Sequence, residues 1–512
     1  MHENEKSILI ETLKKEVLEL RQKIAWLEDK NAELLRRLFG SSSERVVSDQ
    51  KINEAEAIAD TGEGDDVGPG GTDDADEEKE EEKEENKKSD KKKKKGGRNK
   101  LPKNLIRCVE VKDLIDKNCS CGSELKFVGD QISEKLSVIP AKFYVQQTIL
   151  KKYSCPCCTQ LITPEVVPTI LPRTNATPSL LAMIVVAKYG NSLPLYRQES
   201  ILLRMEVSLS RQTMARWIIM VSKQLHPIIT LLKEIAFTRK YLQMDETSLQ
   251  VLNEPGRAAT SKSYMWVMSS PEDNIFLYHY ASTRSGDIPA QLLEGYKGLL
   301  QVDGYDGYNQ AVAANGLTRL GCWMHARRDF FEASKSKQSQ KIGEYALKLI
   351  KKIYKIEERI KDETIENRLL VRQQESLAIA QQLKTWCENE RPRVAPSSYG
   401  GQAIGYLLNE WIYLERCFQH GNVSLDNGNV ERHIRPFTIG RNNWLFSDTV
   451  SGAEASADLY SLQVTAVANG YNPEKYFENL FIKLPLAQTL QDFLDLLPLK
   501  KIPPLDLGPP PD

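Results

Sequence analysis

The sequence predicts a multidomain α+β protein, and three observations carry that expectation. The chain has 512 residues, more than one compact hydrophobic core holds. Its apolar periodicity changes along the way: helical up to about residue 40, strand-like over 241–310, and helical and charged from Met324 to about Phe418. Five of its nine cysteines fall between Cys119 and Cys158, and in a reducing compartment such a cluster points to metal rather than disulfides. The expected order is a heptad-patterned helix (1–40), a charged linker (41–100), a cysteine-bearing domain (101–170) and a helical domain (171–240). A strand-rich part (241–335) and a later mixed part (421–485) follow, separated by a helical insertion (336–420) and followed by a tail (486–512).

In the first segment Ile10, Val17, Ile24, Asn31 and Leu38 take heptad a positions, and Leu13, Leu20, Leu27 and Leu34 take d. β-Branched residues at a with leucine at d favour a parallel two-stranded coiled coil, with Asn31 fixing its register. A homodimer through residues 8–38 is expected. The linker joins the acidic run Asp73–Lys88 to the basic run Lys91–Lys100 under a net charge of −1. Such a segment buries too little apolar surface to order itself. The start of the chain does not read as a signal peptide, and the apolar run Leu180–Ala187 is too short for a bilayer, so a soluble cytoplasmic protein without membrane contact is expected.

Cys119 and Cys121 in "NCSCGSEL" and Cys155 and Cys158 in "YSCPCCTQL" are the expected ligands of one structural Zn²⁺. The first pair is tighter than the usual C-x-x-C, and Cys157 stands as an alternative ligand. Further on, "LPLYRQESILLRMEVSLSRQTMARWIIM" reads as a helix-turn-helix. Leu195–Met205 forms its first helix and Ser210 caps the second, with Leu209, Met214, Trp217 and Ile218 inside. Arg211, Gln212, Thr213 and Arg216 then lie on the face that would read a major groove.

Two strand-like runs, "KYLQMDETSLQVL" and "GLLQVDGYDGY", deliver Asp245 and Asp303. A carboxylate at the end of an apolar strand is costly unless something holds it. Two hard divalent cations would, because they prefer carboxylate oxygens and serve phosphodiester chemistry in pairs. The third acid is Glu431 in "DNGNVERHIRPFTIGRNNWLF", among Arg432, Arg435 and Arg441, cations suited to a phosphate backbone. In "GCWMHARRDFFEA", Cys322 and Trp323 are expected to pack, and His325, Arg327 and Arg328 to make polar or phosphate contacts.

Together "MDET", "QVDGYDGY", "CWMHARRDF", "DNGNVERHIRPFTIGRNNWLF" and "LPLYRQE" resemble the DDE transposase of the insertion sequence sixty-six family. The resemblance implies an RNase H-like catalytic core, here a mixed five-stranded sheet with the helical insertion before the glutamate. It implies Asp245, Asp303 and Glu431 as catalytic acids holding two Mg²⁺, with Mn²⁺ able to substitute, and strand cleavage and joining at terminal inverted repeats. Double-stranded DNA and accessory proteins from the same element are the implied partners, in a bacterial, nucleoid-associated setting. The sequence departs from the family pattern at Gly428, where a second asparagine is usual, and at the C-x-C pair. Two rivals are a nuclease or resolvase on the same fold, which would cut without joining, and a non-catalytic DNA-binding regulator, which has no use for three such acids.

Overall fold

The computed structural model describes residues 142–154 and 161–501, with positions 109, 111 and 135 besides. The chain divides into two units, residues 41–149 and the remainder. In the first, residues 142–149 carry no helix or strand. Every element below belongs to the second. The coiled-coil expectation and all five clustered cysteines lie outside the described residues.

Among the described residues of the second unit, the first elements are an antiparallel strand pair, β1 (Tyr153–Ser154) with β2 (Leu161–Ile162). Four helices follow: α1 (Pro178–Tyr189), α2 (Leu195–Arg204), α3 (Arg211–Gln224) and α4 (His226–Phe237). Thr177 caps α1 and Ser210 caps α3, each side chain accepting from a backbone N–H three residues on. Such a cap stabilises a helix by about 1 kcal/mol. Met214, Trp217 and Ile218 are buried, Leu209 packs beside them, and Arg211, Gln212 and Arg216 are exposed, the amphipathic division expected of this helix pair.

The central sheet has the order β5-β4-β3-β6-β7. β3 (Tyr241–Asn253), β4 (Lys262–Ser270) and β5 (Ile275–Ala281) form an antiparallel meander. β6 (Leu299–Gln301) and β7 (Thr318–Leu320) then add in parallel beyond β3, reached through the crossover helices α5 (Asp287–Leu292) and α6 (Gly307–Asn315). β8 (Ser447–Thr449) pairs with the far end of β3, so the sheet has one short strand more than the five expected. β3 supplies that edge because, at 13 residues, it outruns β6 and leaves Val251–Asn253 unpaired on that side.

After β7 comes α7 (Trp323–Lys335), and the helical insertion then comprises α8 (Gln340–Ile360), α9 (Ile365–Val371), a π-helical turn (Arg372–Ser376), α10 (Leu377–Glu390), α11 (Tyr399–Asn409) and α12 (Trp411–Arg416). With α7 it forms a second hydrophobic core around Trp323, Phe330, Ile350, Leu383 and Phe418, which Tyr241 of β3 and Leu320 of β7 join. The chain returns to the sheet in α13 (Gly428–Trp444), α14 (Val450–Ala468), α15 (Pro473–Lys483) and α16 (Leu490–Leu494). α14 covers β5, and Ser461 and Thr465 accept the backbone N–H groups of Tyr278 and Phe276. α1–α4 share this same core with the sheet: Ser222 donates to Asp458 at 2.5 Å, and the Tyr189 ring meets Tyr460 edge-on. The tail docks up to Leu499, since Leu496, Leu497 and Leu499 are apolar enough to bury against the same core. No helix among the described residues is long and apolar enough to cross a membrane.

Candidate active site

The alternation of a strand puts residues two apart on one face. Gln243 and Gln301 are direct partners across the parallel β3–β6 pair. Asp245, within β3, and Asp303, just beyond β6, each two residues further on, therefore share one face side by side. Asp303 lies just past the end of β6, where its carboxylate accepts from the Tyr305 backbone at 3.0 Å. Glu431 sits in the first turn of α13, which packs along β3 and β4. That helix is pinned at both ends. His433 stacks on Phe276 with ring centroids 3.8 Å apart, and the Tyr278 hydroxyl donates to the His433 carbonyl. Arg441 donates to Thr247 at 3.0 Å and to the Ser248 carbonyl. The structure thus brings the three sequence-predicted acids together. It places Arg441 in a half-buried tie between α13 and β3 rather than on the open surface with Arg432 and Arg435.

Burial pushes the Asp245 carboxyl well above the usual carboxylate range, and the neighbouring charges that reinforce the shift are Glu246, Asp303 and Glu431, all carboxylates. Burial also pushes Glu431 up to about 7, against the opposing pull of Arg328. His325, on α7, is held down to about 4 by burial and by Arg328. Its Nδ1 stands 3.5 Å from Glu431 Oε1, long for a hydrogen bond, and neither atom has another partner. Crowded buried carboxylates with an open acceptor atom are an all-oxygen donor set suited to a hard divalent cation. Among the described residues, the group that places three ligand atoms within 4.8 Å of one another is Cys322, His325 and Glu431, while Asp303 acts on both Asp245 and Glu431, and Glu431 on Asp245, through their charges. Cys322 Sγ is nonetheless buried and donates to Asn427 Oδ1 at 2.9 Å, which agrees with a packing role.

Sequence reasoning missed several residues here. Glu246 is buried beside Asp245 and binds Arg284 at 2.5 Å and the Tyr308 hydroxyl at 2.6 Å. Arg284 in turn lies 4.0 Å over the Tyr305 ring, so the tyrosines of "DGYDGY" order the surroundings of the acids. Gly304 is required for close approach: a Cβ there would stand 2.8 Å from the Tyr406 ring of the insertion. Gln243 and Gln301 were also missed. Their signal was present, because each precedes its acid by two residues and so shares its face.

These geometries predict proton-linked metal binding. An acid whose folded pKa is raised adds stability below its unfolded value near 3.8, and loses it as pH rises through the raised pKa. Metal must displace the same proton. The metal-free protein is therefore expected to lose stability from about pH 4 upward, and divalent affinity to increase with pH. Ca²⁺ titration at pH 6, in buffers of different ionisation enthalpy, should show net proton release from Asp245 and Glu431, which Asp245→Asn lowers. Affinity independent of pH, with no proton released, would sink this account of the site.

Fold and site together define an α+β protein whose sheet presents a carboxylate cluster bordered by arginines. The chain belongs to the IS66 transposase family: the model described as "Transposase IS66 family" matches residues 173–455. Two further models match, the zinc-finger binding domain of transposase IS66 over residues 116–159 and "Transposase C of IS166 homeodomain" over 26–109. Among curated relatives, the uncharacterized protein y4qI of Sinorhizobium fredii is 30% identical over 391 residues, 74% of this chain and 72% of its own length. The uncharacterized protein y4jD of the same organism is 29% identical over 412 residues, 78% of this chain and 80% of its own. No solved structure matches the chain.

Proposed function

We propose that the protein is a DDE transposase that binds the terminal inverted repeats of its element and catalyses divalent-metal-dependent strand cleavage and strand transfer. The observation that carries this reading is the convergence of Asp245, Asp303 and Glu431 in one half-buried cluster where the charges acting on Asp245 are all negative. The sheet order, an antiparallel meander extended by two parallel strands, supports an RNase H-like core interrupted by the helical insertion. Two Mg²⁺, for which Mn²⁺ substitutes, would stabilise the attacking and leaving oxygens of an in-line displacement at phosphorus.

The chain's own groups divide the remaining work. Asp245, Asp303 and Glu431 would hold the metal ions through their carboxylate oxygens. Arg432 and Arg435, exposed on α13 beyond Glu431, hold the DNA strand, and Arg327 and Arg328 on α7 flank it. His325 stays neutral beside Glu431 and adds no charge to the cluster. Cys119, Cys121, Cys155 and Cys158 fall within the zinc-finger match and are the proposed ligands of one structural Zn²⁺. A homodimer through residues 8–38 would bring two element ends together, and proteins encoded by the same element are proposed accessories.

The test is an assay of the purified full chain with Mg²⁺ on DNA carrying the element's own ends. Strand-transfer products are expected. Cleavage without joining would mark a nuclease or resolvase, and binding without cleavage a regulator. The exposed side of α3 adds a second check. Arg211→Ala and Arg216→Ala should each weaken end binding and lower the slope of log affinity against log salt by about 1. An unchanged slope in both would remove α3 from the DNA interface.

A further inference from the structure

The segment Gly421–Asn427, which leads into the glutamate helix, has almost no regular structure, yet its backbone is held carbonyl by carbonyl. Gln301 donates to the Ser424 carbonyl at 3.1 Å and to the Gly321 carbonyl at 2.9 Å. Gln243 donates to the Asp426 carbonyl at 2.9 Å and to Gln301 Oε1 at 2.8 Å. The Leu425 carbonyl accepts from the Trp323 N–H at 3.0 Å, and that of Val423 from Arg372 at 2.9 Å. The Asp426 side chain accepts from the Tyr354 hydroxyl of α8 at 2.8 Å and from the Gly428 N–H that opens α13 at 3.1 Å.

Gln243 and Gln301 are fully buried. Two buried amides in a protein core are costly unless their hydrogen bonds are made, and apolar residues would have filled the space more cheaply. Each gives one donor bond to the loop that carries Glu431, Gln301 to Ser424 and Gln243 to Asp426, and the rest tie the two strands to each other and to Gly321. Tyr354 and Arg372 grip the same loop from the insertion. On the other side Arg319, also fully buried, donates to the Asp303 carbonyl at 2.7 Å and pairs with Glu410 of the insertion at 2.7 Å.

We propose that Gln243, Gln301 and Tyr354 are positioning residues that lock the Gly421–Asn427 segment and thereby set Glu431 against Asp245 and Asp303. The helical insertion is then the brace of the acid cluster. This rests on the reading of the three acids as the catalytic metal ligands. Glu431 reaches the cluster from a helix more than a hundred residues beyond Asp303 in the chain, so its register against the strands is set by these contacts and not by local sequence. Groups that orient ligands in this way typically govern affinity or activity by about 10- to 100-fold when removed.

The experiment uses the full chain with Gln301→Met, Gln243→Met and Tyr354→Phe. The methionines keep volume without the amide, and Tyr354→Phe removes one hydroxyl, so it folds even if a methionine variant does not. Ca²⁺ affinity is measured by calorimetry without turnover, together with the end-cleavage rate over a Mn²⁺ series, affinity for end DNA and melting temperature. The expected result is Ca²⁺ binding weakened by about tenfold or more, cleavage slowed by a similar factor and partly restored at high Mn²⁺, and end-DNA affinity unchanged. Wild-type Ca²⁺ affinity in the folded variants, or a cleavage loss that follows the unfolded fraction and ignores added metal, would overturn the proposal. Glu431→Gln runs beside them as the reference. If it cleaves normally, the catalytic reading itself has failed. If it is inactive while the three variants match wild type, only the positioning inference falls.

Discussion

Replacing Asp303 with asparagine is expected to abolish strand cleavage while leaving binding to terminal-repeat DNA intact, and Asp245→Asn and Glu431→Gln should do the same. An amide keeps the shape of the carboxyl but loses the charge that draws a divalent cation, and the stabilisation supplied at phosphorus goes with it. The expected loss is at least about 10³-fold in rate, on the order of 4 kcal/mol. DNA affinity should persist because the proposed contacts come from arginines on α3, α7 and α13, whose guanidinium groups the substitutions leave in place. A second readout separates loss of metal from loss of fold. Asp245 is buried beside three other carboxylates, so its neutralisation relieves repulsion, and the metal-free Asp245→Asn protein should melt at a higher temperature than wild type. A variant that keeps near-normal cleavage with Mg²⁺ would strike its residue from the metal site. One that is inactive only because it no longer folds would show the opposite melting shift.

The largest stability effect is expected at Arg372. Its guanidinium is fully buried at the start of the π-helical turn and binds Glu357 through both arms, at 2.9 and 2.5 Å. It also donates to the His420 and Val423 carbonyls. Arg372→Met removes every one of these donors and leaves the Glu357 carboxylate, only 16% exposed, without its cation. Breaking one side of a buried pair costs about 3–5 kcal/mol, because the remaining charge stays desolvated. Urea unfolding followed by tryptophan fluorescence should show that loss, since Trp323, Trp386 and Trp411 lie in or against the insertion core. Adding Glu357→Gln to Arg372→Met should recover part of it, as the stranded charge is gone. Additive losses in the double variant would mean that the pair is not coupled. A cost under about 1 kcal/mol would mean that the insertion core holds the loop without Arg372.

The local elements were legible in the sequence because each rests on a pattern only a few residues long. Ser210 announced the start of α3, and the four-residue spacing from Met214 to Ile218, with Trp217 between them, announced its buried face. The runs carrying Asp245 and Asp303 named themselves as strands that serve a site, because a carboxylate on an apolar stretch needs a partner for its charge. The glutamate stood out by its arginines. The acids were also joined by residue type, since hard-cation chemistry asks for three oxygen ligands wherever they lie in the chain. What the sequence could not provide was the alignment between them. Asp245 and Asp303 emerge side by side because Gln243 pairs with Gln301, a register set by sheet packing and not by either strand alone. β8 likewise exists because β3 outruns its neighbour, a matter of relative lengths in three dimensions. Arg441 looks like another phosphate ligand in a basic helix, but rotation about α13 turns it toward Ser248. Glutamine is polar enough to read as surface in a sequence. Only the closed structure makes Gln243 and Gln301 core residues, because the carbonyls that satisfy their donors arrive from Gly321, Ser424 and Asp426, far away in the chain. Sequence alone therefore determined the chemical inventory, which depends on residue types. Tertiary structure decided the geometry, since a buried hydrogen bond or a shared metal site forms only where distant segments meet.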